Sequence, residues 1–388
     1  MELTLVLTHA CNLGCPYCYM GKKFGRRMPK ELGERALEQA FAKLPPGEEI
    51  QVGYFGGEPL LAWDLLQHFH RYAENLARAK GAKLVGTVTT NATLLTEERM
   101  DWLVEHGVVV AISLDGIKAS HDATRPFVNG KSSFEAARKG LKIALERAPL
   151  TEVLCVVDPD NAEHMSANAR FLLDEGARVV ALSMNYSGAW NEERLAVYER
   201  ELERVGAEFV RRFRAGQDVY ISILDAKIVG RLKGGLKECD RCSFGLGELA
   251  VAPSGNLYPC ERLVGEDADP TWVIGHLERG YDLPKLAGML SKKHRRDPLC
   301  ESCAIRDRCA SHCGCSRFFS SGDLADPGAP LCLTEQINAR VADRVAQTLF
   351  WEANPTFMRK FYFERNLPAA LAEAREAPAG ELLALAGA

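Results

Sequence analysis

Cys11, Cys15 and Cys18 place three thiols within eight residues, Cys11-Asn12-Leu13-Gly14-Cys15-Pro16-Tyr17-Cys18, directly after the apolar run Leu3 to Leu7. Three is the informative number. A structural zinc or an ordinary iron-sulfur electron carrier closes its coordination with four protein ligands, so three thiolates leave one metal position open to something that reacts. The chain holds thirteen cysteines in all. Cys155 stands alone in the apolar run Val153 to Val157 and reads as a small core residue, whereas nine fall between Cys239 and Cys332. In a reducing compartment so dense a pattern means metal or catalysis more often than disulfides. Taken by themselves, three cysteines completed by His9, or the later ones taken four at a time, also suit zinc.

Three further stretches follow predicted strands: Gly56-Gly57-Glu58-Pro59 after the second, Thr90-Asn91-Ala92-Thr93-Leu94-Leu95 after the third, and Ser113-Leu114-Asp115-Gly116 after the fourth. With the spacing Cys-x3-Cys-x2-Cys and Tyr17 just before the last thiol, these motifs in this order resemble those of the radical S-adenosylmethionine (SAM) enzymes. The resemblance implies that Cys11, Cys15 and Cys18 hold a four-iron four-sulfur cluster whose open iron chelates SAM. Tyr17, Gly56, Gly57, Glu58, Asn91, Ser113 and Asp115 would then line the SAM site. Gly56 and Gly57 have no side chains, so backbone can come close to the ligand. Glu58 supplies negative charge for its ammonium, and Ser113 reaches its ribose. The cofactors carry the hard chemistry: one electron enters SAM, the bond to the 5' carbon breaks, and a 5'-deoxyadenosyl radical takes a substrate hydrogen.

Farther on, Cys242 is followed by twelve residues, Gly255, four residues and Cys260; then Cys300-x2-Cys303-x5-Cys309-x3-Cys313 is followed eighteen residues later by Cys332. This resembles the SPASM domain, an extension of radical SAM peptide and protein maturases that carries two auxiliary four-iron four-sulfur clusters. The resemblance assigns Cys239, Cys242, Cys260 and Cys313 to the first and Cys300, Cys303, Cys309 and Cys332 to the second, three clusters in all. Cys315 is left over, as a spare thiol, an alternative ligand or a thiol that engages substrate. In the sulfatase-activating branch the residue after the third ligand of the first auxiliary cluster is an Asp that serves as base; here it is Glu261, one methylene longer, and general-base geometry is sensitive to that change. The leading expectation is a maturase that cross-links or otherwise oxidises a ribosomally made peptide. The alternatives are an anaerobic sulfatase-maturating enzyme making formylglycine from Cys or Ser, and, from another class, a zinc-binding interaction protein.

The elements that must position these residues follow a βα rhythm to about residue 215. Strands are expected at Leu3 to Thr8, Ile50 to Phe55, Lys83 to Thr89, Val108 to Leu114, Val153 to Val157 and Arg178 to Met184. Helices are expected at Glu31 to Lys43, Leu60 to Ala79, Thr96 to Glu105, Phe134 to Glu146, Ala162 to Glu175 and Glu192 to Arg214. Such crossovers give parallel strands. The fold class is therefore α/β, a partial (β/α)6 TIM-like barrel with functional loops at the C-terminal strand ends, followed by a C-terminal cysteine-rich SPASM domain. Residues 1–215 form the radical SAM core barrel, 216–237 a connector with one short helix and 238–333 the auxiliary-cluster domain, ordered by metal rather than by a large apolar core. Residues 334–388 are a capping helix, Thr334 to Ala353, and a tail.

The 388 residues, 47% hydrophobic and 26% charged, are those of an ordinary globular chain. A net charge of -4 carries no polyanion-binding signature, so nucleic acid is not the expected partner. No apolar run spans a membrane and no signal peptide is visible, which points to the cytoplasm. Ten residues before Cys11 leave no room for an N-terminal leader-binding domain. The expected partners are a peptide or protein substrate, a separate leader-peptide-binding protein, and a reductant such as flavodoxin or ferredoxin. The basic loop Lys22-Lys23-Phe24-Gly25-Arg26-Arg27 is either a solvated surface or a contact for an acidic peptide.

Overall fold

The computed structural model describes residues 1–237, 240–295 and 297–362. Cys239 and the tail beyond residue 362 lie outside the described residues. In chain order the first elements are β1 (Glu2–Thr8), α1 (Lys30–Lys43), β2 (Glu49–Gly56), α2 (Trp63–Lys80), β3 (Lys83–Thr90), α3 (Glu97–Glu105) and β4 (Val108–Ser113). They continue with α4 (Lys118–Thr124), α5 (Phe134–Arg147), β5 (Glu152–Val157), α6 (Met165–Asp174), β6 (Val179–Met184), α7 (Glu192–Arg214), β7 (Tyr220–Ile221) and α8 (Ser222–Leu232). The cysteine-rich part contributes β8 (Glu248–Val251), β9 (Asn256–Tyr258), β10 (Gly275–His276), β11 (Gly280–Tyr281), α9 (Leu283–His294), α10 (Pro298–Glu301), α11 (Gly314–Ser321), α12 (Gly328–Trp351) and α13 (Pro355–Phe361). All six expected strands and all six expected helices of the βα region are present, most within one or two residues of their expected ends. The α/β class follows.

Two compact units divide these elements. The first comprises Met1–Leu114, His121–Thr151 and Cys242–Arg295. Its strands β1 to β4 run parallel in sequence order. Residues Leu3 to Thr8 of β1 are all buried, as a parallel strand covered on both faces requires. On its other side β1 pairs in parallel with β8, which carries the antiparallel strands β9, β10 and β11. Metal is therefore not the only source of order between 242 and 295: Val251, Leu257 and Tyr258 are core residues of an extended sheet. These strands are two to four residues long, too short for an alternating pattern to stand out among Gly, Pro and Cys.

The second unit comprises Asp115–Ser120, Glu152–Arg241 and Arg296–Ala388. Here β5, β6 and β7 run parallel, and α7 packs against α6 and α12. Asn191 caps α7 by accepting from the Arg194 N–H; Glu192 and Glu193 open it and Arg211, Arg212 and Arg214 close it, matching charge to the helix dipole. The Tyr198 hydroxyl donates to Asn338 Oδ1 at 2.7 Å and ties α7 to α12. The last long helix begins at Gly328, six residues before the expected Thr334, so Cys332 sits on a helix rather than in a loop. Pro330 does not prevent this, because a proline in the first turn displaces no intrahelical hydrogen bond. No helix among the described residues is long and apolar enough to cross a membrane.

Candidate functional site

The three-thiol loop leaves the C-terminal end of β1, and its shape is set by main-chain contacts. Thr8 Oγ1 accepts from the Ala10 N–H at 3.1 Å, and the Leu13 N–H points to Cys11 Sγ at 3.4 Å. Leu13 is buried and bridges Phe127, while Gly14 N donates to Pro126 O at 2.8 Å and Val128 N to Asn12 O at 3.0 Å. The segment 125–128 thus clamps the loop from outside. From it Arg125, 7% exposed, sets its guanidinium 5.4 Å from the Tyr17 ring centre. Sequence reasoning missed Arg125; its only signal is a basic residue shortly after Ser113 to Gly116.

Gly56 and Gly57 do their work against the chain itself. A Cβ on Gly56, whose φ is +142°, would lie 2.2 Å from Thr8 O, and one on Gly57 would lie 2.3 Å from Ala10 O. Their absence lets Gly57 N and Glu58 N donate to Thr8 O and Ala10 O, each at 2.8 Å, and so lock the end of β2 to the cysteine loop. Glu58 is fully buried. Its Oε1 accepts from Leu60 N at 2.9 Å and Thr90 Oγ1 at 2.7 Å, and its Oε2 from Asn91 N at 2.8 Å. Burial is the largest influence on this carboxyl and raises its pKa, while the hydrogen bonds work in the opposite direction. A carboxylate offers about four acceptor positions, so Glu58 braces the loop after β3 and keeps capacity for one more donor.

Asn91 Nδ2 donates to Asn12 Oδ1 at 2.9 Å and lies 3.9 Å from Cys11 Sγ, with Thr93 completing the network. Ala92 holds a φ of 60°, the left-handed conformation that favours glycine. Ser113, at the end of β4, belongs to the same unit. Asp115 is a buried residue of the second unit, where its Oδ1 accepts from Val156 N at 2.9 Å.

The basic loop is not an open cationic face. Arg26 Nη1 lies 3.2 Å from Asp267 Oδ2, Arg27 pairs with Asp64, Lys22 N donates to Glu266 Oε1 at 3.0 Å, and Lys23 Nζ approaches Cys18 Sγ at 2.8 Å. Arg26 and Arg27 each keep 46% of their side-chain surface exposed, so the loop is a solvated surface carrying ion pairs within the chain. Distant acids at 64, 266 and 267 cannot be matched to the loop from local sequence. Asp267 also accepts from Tyr258 Oη at 2.8 Å and Ser254 Oγ at 2.9 Å, which joins the loop to the hairpin preceding Cys260.

That junction brings two cysteine regions together. Cys260 follows β9, its Sγ 3.5 Å from Glu261 Oε2, and Cys242 Sγ is 3.7 Å from Glu248 Oε2. Arg262 sits over the Tyr19 ring at 5.7 Å, and Tyr19 stacks on Phe55 at 6.2 Å. Tyr19 as a whole is 37% exposed, yet desolvation still raises its phenol pKa most, and the charges of Glu261, Cys260 and Cys18 raise it further. The loop that starts at Cys11 and the segment that starts at Cys260 therefore meet at Tyr19.

In the second unit, burial raises the thiol pKa values of Cys300, Cys332 and Cys309, the last to about 11. Cys300 and Cys303 both act on Cys332. Cys315 is fully buried. Lys227 Nζ donates to Arg308 O at 2.9 Å and pairs with Glu335, which also accepts from Ala310 N; this anchors the Cys309 segment to α8 and α12.

The donor sets are all thiols, a coordination that an iron-sulfur centre uses. Zinc bound by sulfurs at about 2.3 Å in a tetrahedron draws them to about 3.8 Å from one another. Among the described residues the ligand atoms of Glu248, Cys260 and Glu261 gather within 4.8 Å of one another, while those of Cys11, Cys15, Cys18 and His9, and those of Cys300, Cys303, Cys309 and Cys332, form no such group. His9 instead stacks on Phe24 at 4.4 Å, and neither of its buried ring nitrogens makes a hydrogen bond. Burial pushes the Cys11 thiol up to about 12, so its anion needs a bound cation.

Residues 5–172 match the radical SAM superfamily. The chain carries a radical SAM domain. It is 27% identical to the serine-type anaerobic sulfatase-maturating enzyme of Klebsiella aerogenes, over 87% of this chain and 87% of that one. It is 27% identical to the mycofactocin maturase MftC of Mycolicibacterium smegmatis, over 87% and 86% respectively. Its fold resembles that of native anSMEcpe with bound AdoMet and Cp18Cys peptide, with a TM-score of 0.73 at 20% identity over 89% of this chain and 98% of that one. The cysteine loop, Gly56 to Glu58, Asn91, Ser113 and Arg125 all fall inside the radical SAM match.

Proposed function

We propose that this chain is a radical SAM maturase with a SPASM-type extension over residues 238–333, which takes a hydrogen atom from a residue of a ribosomally made peptide and installs a cross-link or other oxidative modification. The observation that supports it most is the meeting of the Cys11 to Cys18 loop with Cys260 and Glu261 around Tyr19 within one unit. Cys11, Cys15 and Cys18 hold the SAM-binding cluster. Cys239, Cys242, Cys260 and Cys313 hold the first auxiliary cluster, and Cys300, Cys303, Cys309 and Cys332 the second. When bound, cluster and SAM supply a 5'-deoxyadenosyl radical.

The chain's own groups orient that chemistry. Glu58, with acceptor capacity left, takes the SAM ammonium, and the buried Arg125 guanidinium takes the carboxylate. Asn91 and Asn12 fix the loop beside Cys11, Ser113 and Asp115 serve the ribose side, and Tyr17 packs under Arg125. Glu261 holds the substrate proton released as the product forms. The substrate arrives alone or on a separate leader-binding protein, a flavodoxin or ferredoxin supplies electrons, and the setting is the cytoplasm.

A second reading, anaerobic sulfatase maturation, is favoured by the carboxylate that follows Cys260 and by the 27% identity to a serine-type maturating enzyme. One comparison tests both. Protein, SAM and reductant are incubated with a Cys-, Thr- or aromatic-rich peptide, or with a sulfatase-derived peptide, and the products are read by mass. The leading reading expects modification of the first alone; formylglycine in the second alone transfers the assignment to sulfatases. In either case Glu261→Gln is expected to lower product about tenfold or more with a smaller loss of SAM cleavage, and unchanged product removes Glu261 as the base.

A further inference from the structure

Lys23 is a cation set against one of the three thiols of the first loop. Its Nζ donates to Cys18 Sγ at 2.8 Å, and the main chain on either side of it is fixed. Gly21 N donates to Cys18 O at 3.1 Å and turns the loop back, and Lys22 N donates to Glu266 Oε1 at 3.0 Å. On the other side Phe24 stacks on His9 at 4.4 Å, with the rings 11° from parallel. Arg26 O then accepts from His9 N at 3.0 Å and from Thr8 Oγ1 at 3.1 Å, and Met28 N donates to Leu7 O at 2.9 Å. The segment 24–28 therefore returns alongside the end of β1, and the Lys23 side chain closes the loop onto its last thiol.

The cations of this loop have different partners. Arg26 and Arg27 pair with Asp267 and Asp64, whereas among the described residues no carboxylate forms an ion pair with Lys23. At Cys11 the donors are neutral, Leu13 N at 3.4 Å and Asn91 Nδ2 at 3.9 Å from Sγ, so the charged contact singles out Cys18. A cation at a ligand sulfur stabilises negative charge added to the centre which that sulfur holds. Reducing an iron-sulfur cluster adds such a charge, and net charge and hydrogen bonds to sulfur are levers on its potential. We infer that Lys23 is a positioning residue that acts through Cys18 and holds the SAM-binding cluster at a higher reduction potential than the three thiols alone would give it. The inference rests on reading Cys11, Cys15 and Cys18 as cluster ligands.

The test is a potentiometric titration followed by electron paramagnetic resonance on the full reconstituted chain. The relevant signal is the one missing from the same chain carrying Cys11, Cys15 and Cys18→Ala; if that triple replacement removes none, the ligand reading fails, and the inference with it. Lys23→Met keeps the stem and removes the charge. It is expected to lower the midpoint by about 59 mV, a tenfold change in a one-electron equilibrium. Lys23→Arg keeps the charge and should stay nearer the parent, and Lys22→Met, which removes an exposed cation one residue away, should leave the midpoint in place. An unshifted midpoint in Lys23→Met, with the signal intact, overturns the inference, and so does an equal shift in Lys22→Met. Should Lys23→Met fail to retain iron, Lys23→Gln decides: a lowered midpoint upholds the role of the charge and an unshifted one overturns it.

Discussion

Glu58 shows how a single side chain can serve both the chain and a ligand. Its three accepted hydrogen bonds hold the loops after β2 and β3 in register with the cysteine loop, and the remaining acceptor position faces a ligand ammonium in the proposed function. Glu58→Gln replaces one carboxylate oxygen with a donor and leaves an N–H or hydroxyl without its acceptor. Such a loss costs about 1–3 kcal/mol. SAM affinity, measured by equilibrium dialysis, should fall about tenfold, which corresponds to about 1.4 kcal/mol. Unaltered affinity would make Glu58 a structural brace only. Gly56 carries a sharper constraint. With Thr8 O 2.2 Å from its would-be Cβ, and a φ of +142°, Gly56→Ala must move either the end of β2 or the cysteine loop. A stability loss of about 1–3 kcal/mol in chemical denaturation is expected, and a loss below about 0.5 kcal/mol would show that the loop yields freely.

At the scale of elements, α13 is anchored by the buried Phe357 and Met358, by Asn354 Nδ2 donating to Phe213 O, and by one lysine. Lys360 Nζ lies 2.6 Å from Asp225 Oδ1 and 2.7 Å from Val219 O, with Phe213 and Tyr220 rings at 5.5 Å. Burial raises the Asp225 carboxyl to about 6, and Lys360 opposes that rise. The folded value lies above the ordinary carboxylate value. Proton uptake by Asp225 therefore stabilises the fold fully below about pH 4, and that contribution is lost as the pH rises through about 6. Lys360→Met removes the cation and leaves a buried carboxylate. The expected cost is about 3–5 kcal/mol at pH 8, and distinctly less at pH 5, where the carboxyl is protonated. Equal costs at the two values would contradict the coupling. The βα elements were legible because each repeats an apolar run and an amphipathic helix. The strands β8 to β11 were not, because their stability comes from pairing that begins at β1, some 240 residues away in sequence. The clamp at 125–128 was hidden for the same reason: it depends on main-chain oxygens and a ring that local spacing does not reveal.

For the whole molecule, the motifs Cys11 to Cys18, Gly56 to Pro59 and Thr90 to Leu95 lie in one unit and are tied together by the hydrogen bonds of Glu58 and Asn91, whereas Ser113 to Gly116 begins in that unit and ends in the second. Each sits where a strand ends and a loop begins, a position that a βα pattern predicts without knowledge of the packing. The basic loop was the opposite case, since Arg26 and Arg27 pair with Asp267 and Asp64, and charge alone does not say whether a cation's partner is another molecule or the same chain. The central claim is that the three thiols at the start of the chain initiate radical chemistry on SAM, while the later cysteines hold separate centres. Its most direct test is the formation of 5'-deoxyadenosine by anaerobically reconstituted protein with SAM and reductant, compared with the same chain carrying Cys11, Cys15 and Cys18→Ala. The account predicts turnover in the parent, and none in the variant, which keeps about eight of about twelve irons. Deoxyadenosine formation that survives the triple replacement would contradict it.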